Sequence, residues 1–377
     1  MDISNIAYLP ANGNGIAWHL PYEAPMRLLG FNWFDKYHKY HRLPDELPDE
    51  FTVYPDGVKA MRPKERCGAF FHSLQTAGGQ VRFRTNSSAI HISGSLTTTD
   101  ILDHMPLTGS AGFDLYLKCN GVWKFFAVSR TDHTKLDFSV KLISGLKREM
   151  RDAIIHFPLY NGVSNLAIGL DEDALLEEPT PFADDRPIVW YGTSIQQGAC
   201  ASRPGMCAFN LVSRWLDRPV LSFGFNGSGV GEPEVAELLA EVHNPALYII
   251  DYTWNVTCKS FMVTLPQLLD ILRKMHPDTP ILLMGPTPGR CIYEEIEPAT
   301  VLQELADRDL KTRNNIMRDE ANRRIKAGDR HIAFFDALNN SMGEDFWDAT
   351  VDGCHPTDLG FYRLSQALCD FLKNNIF

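Results

Sequence analysis

Four short runs in the second half of the chain carry residues that could do acyl-transfer chemistry. Gly192-Thr193-Ser194-Ile195-Gln196-Gln197-Gly198 follows the apolar run PIVWY and precedes a helical stretch, so Ser194 stands where strand turns toward helix. A serine in such a turn can face substrate while its own N–H points at a developing oxyanion. FGFNGSGVG closes the next apolar run, and Gly227 there has no Cβ to keep its N–H from a substrate oxygen. DYTWNV closes the third and offers the Asn255 side-chain amide as a further donor. Near the end comes Asp352-Gly353-Cys354-His355-Pro356, just before the last helical stretch. A carboxylate three residues ahead of a histidine can bond the imidazole, fix its tautomer and stabilise the imidazolium formed when it takes a serine proton. Each run alone also has the composition of an ordinary turn or helix cap. Their shared position, after a strand or before the final helix, distinguishes them.

The elements that would position these residues alternate. From PIVWYG onward, short apolar runs (PVLSFGF, ALYIIDY, PILLMG, HIAFFDA) are separated by helical patterns such as PEVAELLAEV and FMVTLPQLLDILRKM. This predicts a five-stranded parallel sheet covered on both faces, whose ligands bind beyond the carboxyl ends of the strands. Residues 67–170 read differently. QVRFRT and AIHIS alternate, and FDLYL, VWKFFAV, FSVKLI and IIHFPLY are short β-rich runs between turn residues, the pattern of a β-sandwich. DEDALLEEPTPFADDRP, acidic and carrying three prolines, suits a connector. The expected domains are therefore 1–175, the all-β sandwich, and 176–377, the α/β unit. The first ~65 residues lack periodicity, and their many aromatic side chains predict burial against the sandwich or the second domain.

In its order, a serine turn first, then a glycine, an asparagine and a DxxH, the second half resembles the four blocks of SGNH (GDSL-like) hydrolases. Gly112-Phe113-Asp114-Leu115-Tyr116 is similar to the GxDLY signature of the branch with an N-terminal, jelly-roll-like β-sandwich. The resemblance implies a three-layer α/β hydrolase domain with Ser194 as nucleophile and Asp352 and His355 completing the triad. It makes the Ser194 and Gly227 N–H groups and the Asn255 amide the oxyanion hole. GTS stands where the blocks usually have GDS, and Asn255 lacks the familiar Gly-Asn-Asp surroundings. The implied activity is hydrolysis of short acyl esters, commonly acetyl, on a carbohydrate or small metabolite, with no metal or other cofactor. An acyltransferase using the same triad and an inactive carbohydrate-binding protein are the alternatives.

Composition excludes other classes. A formal charge of -11 without a basic stripe argues against a nucleic-acid partner. No run approaches the ~20 apolar residues that cross a bilayer, and the opening MDISNIAYLP has no signal-peptide pattern, so a cytoplasmic protein away from membranes is expected. The eight scattered cysteines read as free thiols, and His38 and His41 as surface histidines lacking further ligands nearby. Trp254, Arg203 and Arg290 flank the proposed site and are the candidate substrate contacts. Assembly into a homo-oligomer stays open.

Overall fold

Alternation in runs such as Gln80–Thr85 and Ile90–Leu96 sends every second side chain inward. In the computed structural model, which describes residues 9–10, 13–290 and 309–377, the first strands are β1 (Ile16–His19), β2 (Arg27–Leu29), β3 (Glu50–Val53), β4 (Ala60–Pro63), β5 (Gln80–Thr85) and β6 (Ile90–Leu96). There follow β7 (Asp114–Cys119), β8 (Val122–Val128), β9 (Asp137–Ile143), β10 (Arg151–His156), β11 (Val163–Asp171) and β12 (Leu176–Glu177). Two antiparallel sheets form, one ordered β1-β11-β6-β9, the other β12-β5-β10-β7-β8 with β2 also on β5. Phe83, Ile92, Leu115, Ile155 and Ile168, all fully buried, fill the core between them. This is the expected β-sandwich.

Asp114 of the GxDLY run explains that signature physically. It is fully buried, and a buried carboxylate is tolerated only when paired and hydrogen-bonded. His156 Nδ1 lies 2.7 Å from one of its oxygens; the other accepts the Gly205 N–H at 2.7 Å and Arg203 Nη1 at 3.2 Å. Burial pushes this carboxyl up, but His156, Arg203 and the Gly205 N–H outweigh it and hold the group below the usual carboxylate range.

The chain folds into two compact units. One holds residues up to 45, 74–185 and 201–205; the other holds 46–73, 186–200 and 206 onward. The hairpin of β3 and β4 thus belongs with the α/β elements. Thr52 fixes it there, its N–H and Oγ1 both donating to the Glu234 carboxylate, at 3.0 and 2.7 Å.

That second unit is built on β13 (Ile188–Gly192), β14 (Val220–Gly224), β15 (Leu247–Asp251), β16 (Ile281–Met284) and β17 (Ile332–Phe335). All four pairings are parallel, in the order β14-β13-β15-β16-β17. β13 to β16 are buried throughout, as near-continuous apolar runs in a sheet covered on both faces should be. Helices Ala208–Leu216 and Asp358–Asn375 pack together; Pro233–Ala240, Cys258–Met275 and Leu310–Lys326 form a second packed group. Strand order reverses direction between β13 and β15, and a crevice opens beyond the strand ends at such a switch. None of the described helices is long and apolar enough to cross a membrane. The seven described cysteines are free, Cys291 lying outside the described residues, and His41 is engaged locally by Asp45.

Candidate active site

Ser194 opens a one-turn helix at the end of β13. Thr193 caps it, with its Oγ1 accepting the Ile195 N–H at 3.3 Å, while Gln196 Oε1 reaches back to the Thr193 N–H at 2.8 Å, a reciprocal capping box. Gln196 Nε2 donates to the buried Asp251 at the end of β15, which pins the turn to the neighbouring strand. Ser194 itself is 6% exposed.

The loop after β14 is wired donor by donor. Phe225 N–H donates to Gly192 O at 3.0 Å, Asn226 N–H to Gln197 Oε1 at 3.0 Å, and the Ser228 and Gly229 N–H groups both to Phe225 O at 3.1 Å. Val230 N–H donates to Glu232 Oε2 at 3.2 Å and Gly231 N–H to Tyr191 Oη at 2.8 Å. Between residues 225 and 231, then, Gly227 alone presents an N–H with no acceptor among the described residues. The sequence attributed this glycine to a need for room. The structure gives a different reason: a Cβ would meet nothing within 4 Å, but φ is +61°, a conformation that L side chains rarely adopt.

Asn255 follows β15 beside this loop. Its amide can be set two ways: with Nδ2 donating to Phe225 O at 3.3 Å, or turned over so that Oδ1 accepts from Ser228 N at 3.0 Å and Gly229 N at 3.2 Å. The second satisfies two donors with shorter bonds and is the better assignment. It holds the amide to the Gly227 loop by its oxygen and turns Nδ2 to the opposite edge.

His355 stands on a tight loop closed by the Val351 N–H on His355 O at 2.9 Å, just before the last helix. Its Nε2 lies 2.9 Å from Ser194 Oγ, and its Nδ1 lies 2.7 Å from Asp352 Oδ2. The other Asp352 oxygen accepts the N–H groups of Cys354 and His355, at 3.0 and 2.8 Å. Partial burial pushes the Asp352 carboxyl up, but these N–H bonds and the imidazole outweigh it and keep it below the usual range, ionised. A hydroxyl, an imidazole and a carboxylate in line can move a proton off Ser194, and the unpaired Gly227 N–H beside the Asn255 amide can receive an oxyanion.

Trp254 and Arg290 lie on the same strand-end rim. Trp254 Nε1 donates to Thr287 Oγ1 at 3.2 Å, and Arg290 N–H donates to Gly353 O at 2.7 Å with its aliphatic chain over Gly353. Arg203 is a correction. Its guanidinium serves Asp114 and Tyr116 and stacks 3.8 Å from the Phe125 ring centroid within the sandwich unit, because a buried carboxylate needs that charge. Gln196, Gln197 and Glu232, which position the serine turn and the Gly227 loop, were not singled out in the sequence. The only signal was the N3 glutamine of a capping box.

Comparison with known proteins identifies the family and the fold. Residues 185–373 match the GDSL-like lipase/acylhydrolase family, and residues 16–176 match the N-terminus of SGNH-hydrolase-type esterases. A protein described as a GDSL-like lipase from Bacteroides ovatus is 26% identical, with TM-score 0.79 over 95% of this chain and 97% of that one. The salicylyl-acyltransferase SsfX3 from a tetracycline biosynthetic pathway is 16% identical, with TM-score 0.67 over 95% and 96%. A family two carbohydrate esterase from Cellvibrio japonicus is 11% identical, with TM-score 0.58 over 96% and 98%. At those identities the last two share the fold alone. No curated protein matches the chain.

Proposed function

The chain belongs to the GDSL-like lipase/acylhydrolase family and is an ester hydrolase, and from that premise we propose that it cleaves short-chain acyl esters, acetyl foremost, through an acyl-serine intermediate. The observation carrying this reading is the 2.9 Å contact of Ser194 Oγ with His355 Nε2. His355 takes the Ser194 proton as Oγ bonds to the ester carbonyl carbon, and Asp352 stabilises the imidazolium. The carbonyl oxygen, now an oxyanion, accepts from the Gly227 and Ser194 N–H groups and the Asn255 amide. The bond to the alcohol breaks, and His355 returns the proton to the leaving oxygen. Water then repeats the sequence on the acyl-serine, so one ester and one water become one acid and one alcohol.

A cavity of about 260 Å³ opens beside Asn255, lined also by Val53, Tyr54, Arg62, Val230 and Val256, but neither Ser194 nor His355 lines it, so the short acyl group is proposed on the family resemblance and not on that volume. A carbohydrate as the alcohol is the chemistry named for the neighbour described as a carbohydrate esterase, with which the chain shares the fold, and a small metabolite is the alternative. The test is a p-nitrophenyl ester chain-length series beside acetylated oligosaccharides, with released acid measured and an alcohol acceptor added in a parallel arm. Acetate release should dominate. Ser194→Ala should lower the rate by ~10⁴ to 10⁶, and a variant within tenfold of wild type would remove Ser194 from its role. Transfer to the alcohol in preference to water would make the enzyme an acyltransferase.

A further inference from the structure

Two bonds that shape the Gly227 loop end on groups outside the triad and the oxyanion hole. The Gly231 N–H donates to Tyr191 Oη, Tyr191 O–H donates to Glu232 Oε2 at 2.9 Å, and the same oxygen accepts the Val230 N–H. Glu232 is 2% exposed and Tyr191 fully buried. A carboxyl group at that depth is costly, so apolar filler would serve packing better if packing were its only purpose.

The groups facing it come from every surrounding element. Tyr191 lies on β13, and Tyr252 lies just after β15 with its hydroxyl bonded to Thr264 Oγ1 at 2.9 Å. Arg62 and Cys67 come from the 46–73 segment. Burial dominates this balance and pushes the Glu232 carboxyl up to about 7; Arg62 and the hydrogen bonds pull the other way. A buried carboxyl group is thus kept against one loop N–H, that of Val230, and the Tyr191 hydroxyl that in turn accepts the Gly231 N–H.

Tyr191 is three residues before Ser194, and Glu232 five after Gly227. The Gly231 to Tyr191 to Glu232 to Val230 circuit therefore cross-links the strand bearing the serine to the far end of the loop. The near end is already held by Gln197. We propose that Glu232, acting through Tyr191, is a positioning residue of the ester-cleavage step, clamping the loop so that the Gly227 N–H stays aimed at the oxygen that becomes the oxyanion. This rests on the reading of Ser194 as nucleophile and Gly227 as donor. A ground-state ester oxygen is a weak acceptor, so a displaced donor costs little in binding and much in the transition state.

The experiment measures kcat, KM and inhibition by an alkylboronic acid, whose tetrahedral adduct on serine mimics the intermediate. Glu232→Ala should lower kcat about 10- to 100-fold, short of the ~10² to 10³ for losing an oxyanion donor outright, with KM within about threefold. Boronate affinity should fall by the same factor as kcat/KM. Glu232→Gln keeps an oxygen for both donors and should recover most of the loss, while Tyr191→Phe should reproduce it. Tyr191→Phe and Glu232→Gln carry the test alone if Glu232→Ala fails to fold. A loss confined to KM, unchanged boronate affinity, or Glu232→Gln as impaired as Tyr191→Phe would overturn the proposal. Ser194→Ala separates the two readings: full activity there refutes the esterase mechanism, whereas loss there with normal kcat in all Glu232 and Tyr191 variants refutes only the clamp.

Discussion

Gln197 Oε1 accepts the Asn226 N–H at 3.0 Å, so the turn presenting Ser194 and the loop presenting Gly227 are joined as one hydrogen-bonded piece. Gly224 lets them meet, since a Cβ there would fall 2.2 Å from the Gln197 backbone nitrogen. Gln197→Ala should therefore reduce kcat by roughly tenfold with KM within about twofold, because only the transition state depends on the aim of the Gly227 N–H. Steady-state kinetics on a p-nitrophenyl ester decide it; a rise in KM at unchanged kcat would mean that the bond shapes substrate binding instead.

Stability should fall as pH rises toward neutrality, and Glu232 contributes to that fall alongside the buried Asp251, whose carboxyl is also pushed up by burial. The folded Glu232 pKa of about 7 lies above the ordinary value of 4.5, so between these the unfolded chain has released a proton that the folded chain keeps. By linkage the Glu232 contribution declines as pH climbs from ~4.5 to ~7 and then levels off, with a total on the order of 2 to 4 kcal/mol. Denaturation midpoints of wild type and Glu232→Gln, compared at pH 5 and pH 8, should show the wild-type decline reduced in the variant. Parallel profiles would remove Glu232 as one of its sources.

In the sandwich, Asp114→Ala should destabilise by about 3 to 5 kcal/mol, because it strands the buried His156 and the Arg203 guanidinium without their carboxylate. Urea denaturation of the full chain is the measurement. A shift below about 1 kcal/mol would show that these partners find other acceptors.

A fragment spanning residues 180–377 should be poorly soluble or nearly inactive. It lacks the 46–73 segment, whose Thr52 bonds Glu234 and whose Val53, Tyr54 and Arg62 line the cavity beside Asn255. Gly68 also lies so close to the Gly227 loop that a Cβ there would fall 1.9 Å from Ser228 Oγ. Turnover equal to that of the full chain, on small esters and acetylated carbohydrates alike, would show the segment to be dispensable.

Ser194, Asp352 and His355 could be read from the sequence because each depends on local geometry: a strand-to-helix turn, and a carboxylate three residues before an imidazole. The sandwich and the parallel sheet followed from period and run length. Glu232 could not be read, since Glu-Pro-Glu ahead of an apolar run has the look of a solvated helix start, and only tertiary packing buries its first carboxylate. Arg203 misled for a related reason. Its partner Asp114 lies 89 residues away, and no spacing rule links them. The β3–β4 hairpin was equally hidden, as nothing in residues 50–63 indicates that their buried face belongs with elements 180 or more residues later.

That hairpin sets a schedule for the nascent chain. Thr52 leaves the ribosome 182 residues before the Glu234 carboxylate that holds it, and translation at ~5 to 20 residues per second makes the wait ~9 to 36 seconds. Phe51, fully buried in the finished unit, must spend that time exposed or shielded by a chaperone. The sandwich strands between the two partners are synthesised during the interval, so completing the α/β unit means recapturing a segment released before nearly all of them.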